Sequence, residues 1–174
     1  EHKQTLLGEF LINTPGEYNA LNALCSIIVG LEEGLSIDEV KNGVLNYKGS
    51  KRRLEYIGKG ENNCLIYDDY AHHPTEIKKV LSSLKKMYPK KKIISIFQPH
   101  TYSRTKKLLD DFAKAFTDSN FLILTEIFTS EREKDNKEDL SKELYLKTLK
   151  NHPNTLFLPE FEDVVKYAEQ KRYN

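Results

Sequence analysis

From residue 54 onward, short apolar runs alternate with longer segments of helical period, and this alternation constrains the fold more than any other feature. The runs are Leu54-Glu55-Tyr56-Ile57, Cys64-Leu65-Ile66-Tyr67, Ile93-Ile94-Ser95-Ile96-Phe97, Phe121-Leu122-Ile123-Leu124 and 155–158. The first two flank a polar turn, 58–63. Between the later runs, apolar residues recur three and four apart: Ile77, Val80, Leu81 and Leu84, then Leu108, Leu109, Phe112 and Phe116. Two more helices are expected at 140–149 and 161–170. Strand, helix and strand in succession read as parallel sheet, because parallel neighbours need a long crossover. The expected fold is α/β, a Rossmann-like, mostly parallel sheet with flanking helices. No glycine fingerprint accompanies it, so dinucleotide binding is not inferred.

The first part of the chain has a different pattern. Leu6–Ile12 reads as one strand, and Thr14-Pro15-Gly16 as a turn. A helix from Asn19 carries Leu21, Leu24, Ile27, Ile28 and Leu31 at helical spacing and ends at Gly34. Ser36-Ile37-Asp38-Glu39 is a capping box, after which Val40 and Val44 continue the stripe of Ile37. Tyr47-Lys48-Gly49-Ser50 marks the expected boundary, giving domains 1–48 and 49–174. A first strand without an earlier partner and a last helix without a closing strand suggest a chain cut at both ends.

Lys+Arg 27 against Asp+Glu 26 leaves a net charge of +1, which gives no reason to expect nucleic acid or an anionic membrane as partner. The lysines between 78 and 92 alternate with Val80, Leu81, Leu84 and Met87, as on the wet face of a helix. No run approaches the roughly 18 apolar residues of a membrane span, and no signal peptide is visible. Cys25 and Cys64 sit in apolar contexts without zinc spacing. They are expected to be buried thiols in a reducing cytosol, which points to a cytoplasmic location.

The chemistry concentrates in two connections. Each follows an apolar run, breaks at a proline and leads into a helical segment: Asp68-Asp69-Tyr70-Ala71-His72-His73-Pro74 and Gln98-Pro99-His100-Thr101-Tyr102-Ser103-Arg104. Three of the 5 histidines of the chain lie here. Such connections leave the carboxyl ends of strands, where open α/β sheets bind ligands. Asp68 and Asp69 end a strand and point to opposite sides of it, so one supports the turn while the other faces a ligand. His72 and His73 do not easily face the same ligand. Ser103 can cap the next helix. Arg104 at the start of that helix opposes the helix dipole, which marks it as a functional candidate suited to a carboxylate or phosphate. Lys51-Arg52-Arg53 offers a second cationic cluster. Asn19 and Asn22, three apart, share one side of the first helical turn.

The segments 68–77 and 97–105 resemble signature segments of the Mur ligases, in particular the branch that joins L-alanine to UDP-N-acetylmuramate. Gly16-Glu17-Tyr18-Asn19-Ala20-Leu21-Asn22 resembles the family's Gly-x-His-Asn-x-x-Asn, and 49–55 its linker motif. Arg132-Glu133 extends the likeness. The resemblance implies an ATP-dependent carboxylate–amine ligase of peptidoglycan precursor synthesis. There ATP phosphorylates the muramate carboxylate, and the amine of alanine attacks the acyl phosphate. Residues 1–48 would be the end of the central ATPase domain and 49–174 most of the C-terminal domain.

By that resemblance, Asn19 and Asn22 contact adenine, Asp69 holds the nucleotide, and Arg52 or Arg53 reaches its phosphates. Tyr70, His72, His100 and Arg104 surround the amino acid and the acyl phosphate. Magnesium ligands and the phosphate-binding loop would lie upstream, with the remainder of the ligase, so the chain alone is expected to be inactive. Tyr18 replaces a histidine of the pattern, and Thr101 replaces an arginine found in some members. Three rivals stand beside this reading. One is the murein tripeptide ligase of the same family. Another is a metal-dependent phosphoesterase using Asp68, Asp69, His72, His73 and His100. A pure binding module without chemistry is a third.

Overall fold

A computed structural model describes residues 6–129 and 139–171. The chain divides into two compact units, one of residues 1–57 with 67–69, the other of 58–66 with 70–174. Arg132 and Glu133 lie outside the described residues.

In the first unit, α1 (Glu17–Glu32) and α2 (Ile37–Asn46) form a helical pair. Gly34, at φ 91°, closes α1: its N–H reaches the Leu31 carbonyl, and the Leu35 N–H reaches that of Gly30. Glycine suits this left-handed position because it has no Cβ to clash. The capping box forms as expected, Glu39 N–H donating to Ser36 Oγ and Ser36 N–H to Glu39 Oε2. The apolar stripes are real but mostly uncovered. Ile27 and Val40 are buried, whereas Leu21, Leu24, Ile28 and Ile37 are exposed. A stripe as broad as that of α1 presents more surface than one facing helix covers.

Two expectations fail here. Residues 6–12 form no strand, since Gly8 at φ 92° turns the run and no ladder partner meets it among the described residues. Cys25 is also exposed, as is Cys64 in the second unit, so neither is the buried thiol expected. Cys25 lies on the uncovered side of α1, and Cys64 in the connection before β2.

The strands β1 (Glu55–Lys59) and β2 (Leu65–Asp68) form a two-stranded sheet around a 3₁₀ turn at Glu61–Asn63. The second unit is built on a parallel sheet of β3 (Ile94–Phe97), β4 (Phe121–Leu124) and β5 (Thr155–Phe157), in that order. Ile94 pairs with Phe121, and Leu122 with Thr155. The middle strand buries Leu122, Ile123 and Leu124, a continuous apolar run of the kind a doubly covered strand requires.

The helix α3 (Pro74–Met87) precedes β3, α4 (Tyr102–Lys107) with α5 (Leu109–Phe112) and then α6 (Leu140–Asn151) make the two crossovers, and α7 (Phe161–Gln170) follows β5. Ile77, Leu81, Phe97, Phe112, Phe116 and Leu144 share one core. The segment read as one helix around Leu108 is two short ones. Leu108 leaves the helical region at φ −115°, ψ 20°, and Leu109 and Phe112 still reach the core.

A polar network closes the amino ends of the strands. His152, the C-cap of α6, places Nε2 2.8 Å from the Ser119 carbonyl and Nδ1 3.1 Å from Thr155 Oγ1. Ser95 Oγ donates to Ser119 Oγ at 2.8 Å, tying β3 into the same network. A carbonyl only accepts, so His152 Nε2 carries a proton. Replacing His152 by Ala orphans that carbonyl, a loss on the order of 1–3 kcal/mol. The expected result is a lower urea midpoint for His152→Ala, with partial recovery in His152→Gln.

Candidate active site

In the first unit the candidate residues gather around the start of α1. Asn19 Nδ2 donates to the Pro15 carbonyl at 2.6 Å, while Asn22 is exposed and its carbonyl accepts from Ser26 Oγ. Asp68 and Asp69 have different partners. Asp68 Oδ2 lies 3.4 Å from Arg52 Nε in an exposed pair, and such pairs contribute little to stability. Asp69 Oδ2 accepts the Leu54 N–H at 2.7 Å. That bond holds a strained stretch, since Arg52 and Leu54 have φ of 57° and 48° and neither is glycine.

Tyr18, which stands in the place of the pattern's histidine, belongs to the same group. Burial pushes its phenol above the usual tyrosine range, and the Asp69 charge adds to this while Arg53 opposes it. Arg53 therefore acts on Tyr18 as a charge, while Arg52 is engaged with Asp68. Sequence reasoning treated Tyr18 only as a departure from a motif. Its closeness to Asp69 spans some fifty positions and has no local signal.

In the second unit the rings of Tyr70, His72 and His100 come together. Tyr70 and His72 are 5.0 Å apart, Tyr70 and His100 6.5 Å, and His72 and His100 6.4 Å between centroids. The elements that place them are short. Pro74 sits in the first turn of α3, where its missing N–H costs nothing. His73 is the N-cap: its Nδ1 accepts from Thr75 N–H, and Glu76 Oε2 accepts the N–H groups of both His72 and His73.

His73 thus serves the helix, and His72 joins the ring cluster. The His72 Nδ1 lies 2.8 Å from the Tyr70 carbonyl. Because that carbonyl only accepts, Nδ1 carries the proton, and in the neutral ring Nε2 keeps its lone pair. The sequence held a signal for this capping, a glutamate three residues after His73.

After β3 the chain passes Pro99 and His100 and reverses at Thr101, whose φ is 68° and ψ 139°. A β-branched residue at positive φ is strained, and such strain collects at functional sites. Thr101 rather than Ser103 is the N-cap of α4, and Ser103 lies inside the helix. The reversal begins the helix earlier than a serine cap would. The Thr101 carbonyl accepts from both Thr105 N–H and Thr105 Oγ1. Arg104, half-buried on α4, meets no carboxylate among the described residues. Phe128, which sequence reasoning passed over, stacks on His100 with centroids 5.2 Å apart and planes 19° apart.

The metal-site reading does not survive the geometry. Among the described residues no three of the His, Cys, Asp and Glu side chains converge where they could hold a metal ion. His73 caps α3, Asp69 holds the Leu54 N–H and Asp68 pairs with Arg52, so three of the five ligands required by a phosphoesterase have other partners.

Residues 52–173 match the family model described as Mur ligase, glutamate ligase domain. The UDP-N-acetylmuramate–L-alanine ligase of Acetivibrio thermocellus is 45% identical over 160 residues, covering 91% of this chain and 33% of the relative. A solved UDP-N-acetylmuramate–alanine ligase of Thermotoga maritima superposes with a TM-score of 0.76 at 27% identity, covering 94% of this chain and 34% of that one. A murein peptide ligase of Psychrobacter arcticus gives 0.67 at 25% identity, with coverage of 94% and 33%. The chain spans about one third of the length of the curated relatives it matches.

Proposed function

The chain belongs to the Mur ligase family, and on that premise we propose that it serves ATP-dependent ligation of L-alanine to UDP-N-acetylmuramate. The carrying observation is the cluster of Tyr70, His72 and His100, in a chain 45% identical to a ligase of that name. In this reading, residues 1–48 close an ATP-binding domain and 49–174 form the Rossmann-like C-terminal domain. The protein works in the cytoplasm on small molecules, as a step of cell-wall precursor synthesis.

The γ-phosphoryl group of ATP passes to the muramate carboxylate, giving an acyl phosphate and ADP. The alanine amine then attacks the acyl carbon, phosphate leaves, and the amine gives up a proton. His72 Nε2, with its lone pair free of the Tyr70 bond, is placed to accept that proton. Arg104 receives the alanine carboxylate in a two-point contact. Asn19, Asn22, Arg53 and Asp69 serve the nucleotide, Arg53 as the cation toward its phosphates.

Magnesium favours carboxylate oxygens around an octahedron. The residues here do not offer such a set, with Asp68 on Arg52 and Asp69 on the Leu54 N–H.

The higher TM-score with the alanine ligase, 0.76 against 0.67, supports this branch over the murein peptide ligase. ADP release by the ligase carrying this chain separates the two. L-alanine with UDP-N-acetylmuramate should support it, and a tripeptide offered in its place should not. Preference for the tripeptide would overturn the assignment.

A further inference from the structure

Phe128 lies just beyond β4, where the chain continues alongside the segment after β3. Its N–H donates to the Pro99 carbonyl at 2.8 Å, and its carbonyl accepts from Thr101 N–H at 3.0 Å. These two bonds bracket His100 and make an isolated parallel bridge between residues 100 and 128. The same residue lays its ring on the imidazole, close to parallel. The Tyr70 ring meets the imidazole at 73°, with centroids 6.5 Å apart. His100 is therefore held by main chain on both flanks and by an aromatic ring on one face.

The Phe128 ring is half exposed, which burial of apolar surface alone does not account for. We infer that Phe128 is a positioning residue that fixes the orientation of the His100 imidazole in the ligation site. The inference rests on the proposed ligase reading for its kinetic consequence but not for its geometry. Offset stacking of aromatic rings orients both partners and adds to what burial provides. Residue 128 keeps its main-chain bonds with any side chain except proline, so the stack can be removed while the bridge remains.

Two readouts test this. In the chain as it stands, NMR should show the His100 ring protons shifted upfield by the Phe128 ring current. Phe128→Leu and Phe128→Met should both move them downfield, while the buried His152 ring in the same unit stays in place and reports an intact fold. Phe128→Tyr should restore the parent positions. Unmoved His100 resonances in a folded Leu or Met variant overturn the inference.

In the ligase carrying this chain, the Leu variant should lower kcat/KM for the amino acid about two- to tenfold, the range an aromatic pair carries. The Michaelis constant for ATP should not change, and Tyr should recover the loss. An active parent whose kcat/KM for the amine is unaffected also overturns it. A parent inactive with every amine refutes the ligase reading instead, and the resonance comparison still decides the geometry.

Discussion

Arg104→Lys in the ligase carrying this chain is expected to raise the Michaelis constant for L-alanine about ten- to hundredfold and leave that for ATP nearly unmoved. The physical reason is the shape of the cation. A guanidinium meets a carboxylate with two parallel hydrogen bonds, whereas an ammonium is a point charge. Losing one charge-assisted bond costs on the order of 1.5–3 kcal/mol, which corresponds to that range of affinity. The structure leaves Arg104 available: it is half-buried on α4 and meets no carboxylate among the described residues. Thr101 stands where some members of the family carry a second arginine, so the turn has no neighbouring cation to compensate. Steady-state kinetics with alanine and ATP varied separately check this. A fall in turnover with an unchanged alanine constant would assign Arg104 to the acyl phosphate instead.

Phe112→Ala is expected to lower the stability of the second unit by about 3–5 kcal/mol. Phe112 is 0% exposed, and its ring lies 5.7 Å from that of Phe97, which in turn lies 5.3 Å from Phe116. Deleting the ring removes its burial and leaves a cavity among side chains that have little room to relax. Against a typical total of about 5–15 kcal/mol for a domain, this is a large fraction. The effect should reach the site, since Phe97 ends β3 three residues before His100. The urea midpoint of the chain, followed by circular dichroism, measures it. A change below about 1 kcal/mol, the size of a surface substitution's effect, would contradict the core assignment.

The fold was legible where burial is two-sided or amphipathic. The run 121–124 became the central strand because a strand covered on both faces is apolar throughout. The capping box at Ser36 and the proline at the start of α3 formed as read, because both are local devices. The failures also share a cause. Leu6–Ile12 has strand composition, but Gly8 turns the backbone, and composition does not reveal a missing ladder partner. Ser103 has the chemistry of an N-cap, yet Thr101 starts α4 because Phe128 holds its N–H from across the sheet. The exposure of Cys25 and Cys64 depends on which face of each element finds cover.

The site divides the same way. Tyr70, His72 and His100 were legible from the density of chemistry in two turns, and the structure brings their rings within 6.5 Å. That His73 turns to the helix while His72 turns to the other two rings depends on Glu76 and the Tyr70 carbonyl. Phe128 is an ordinary apolar residue in sequence. Its place against His100 comes from parallel register between β3 and β4, a non-local property.

We propose that this chain supplies the alanine-handling part of a Mur ligase. The most direct measurement replaces the aligned third of the Acetivibrio thermocellus ligase with this chain. ADP release from ATP and UDP-N-acetylmuramate is then followed with and without L-alanine. The expected result is alanine-dependent release that Arg104→Ala strongly weakens. A chimera that folds and binds ATP, yet releases no more ADP with L-alanine than without it, would contradict the claim.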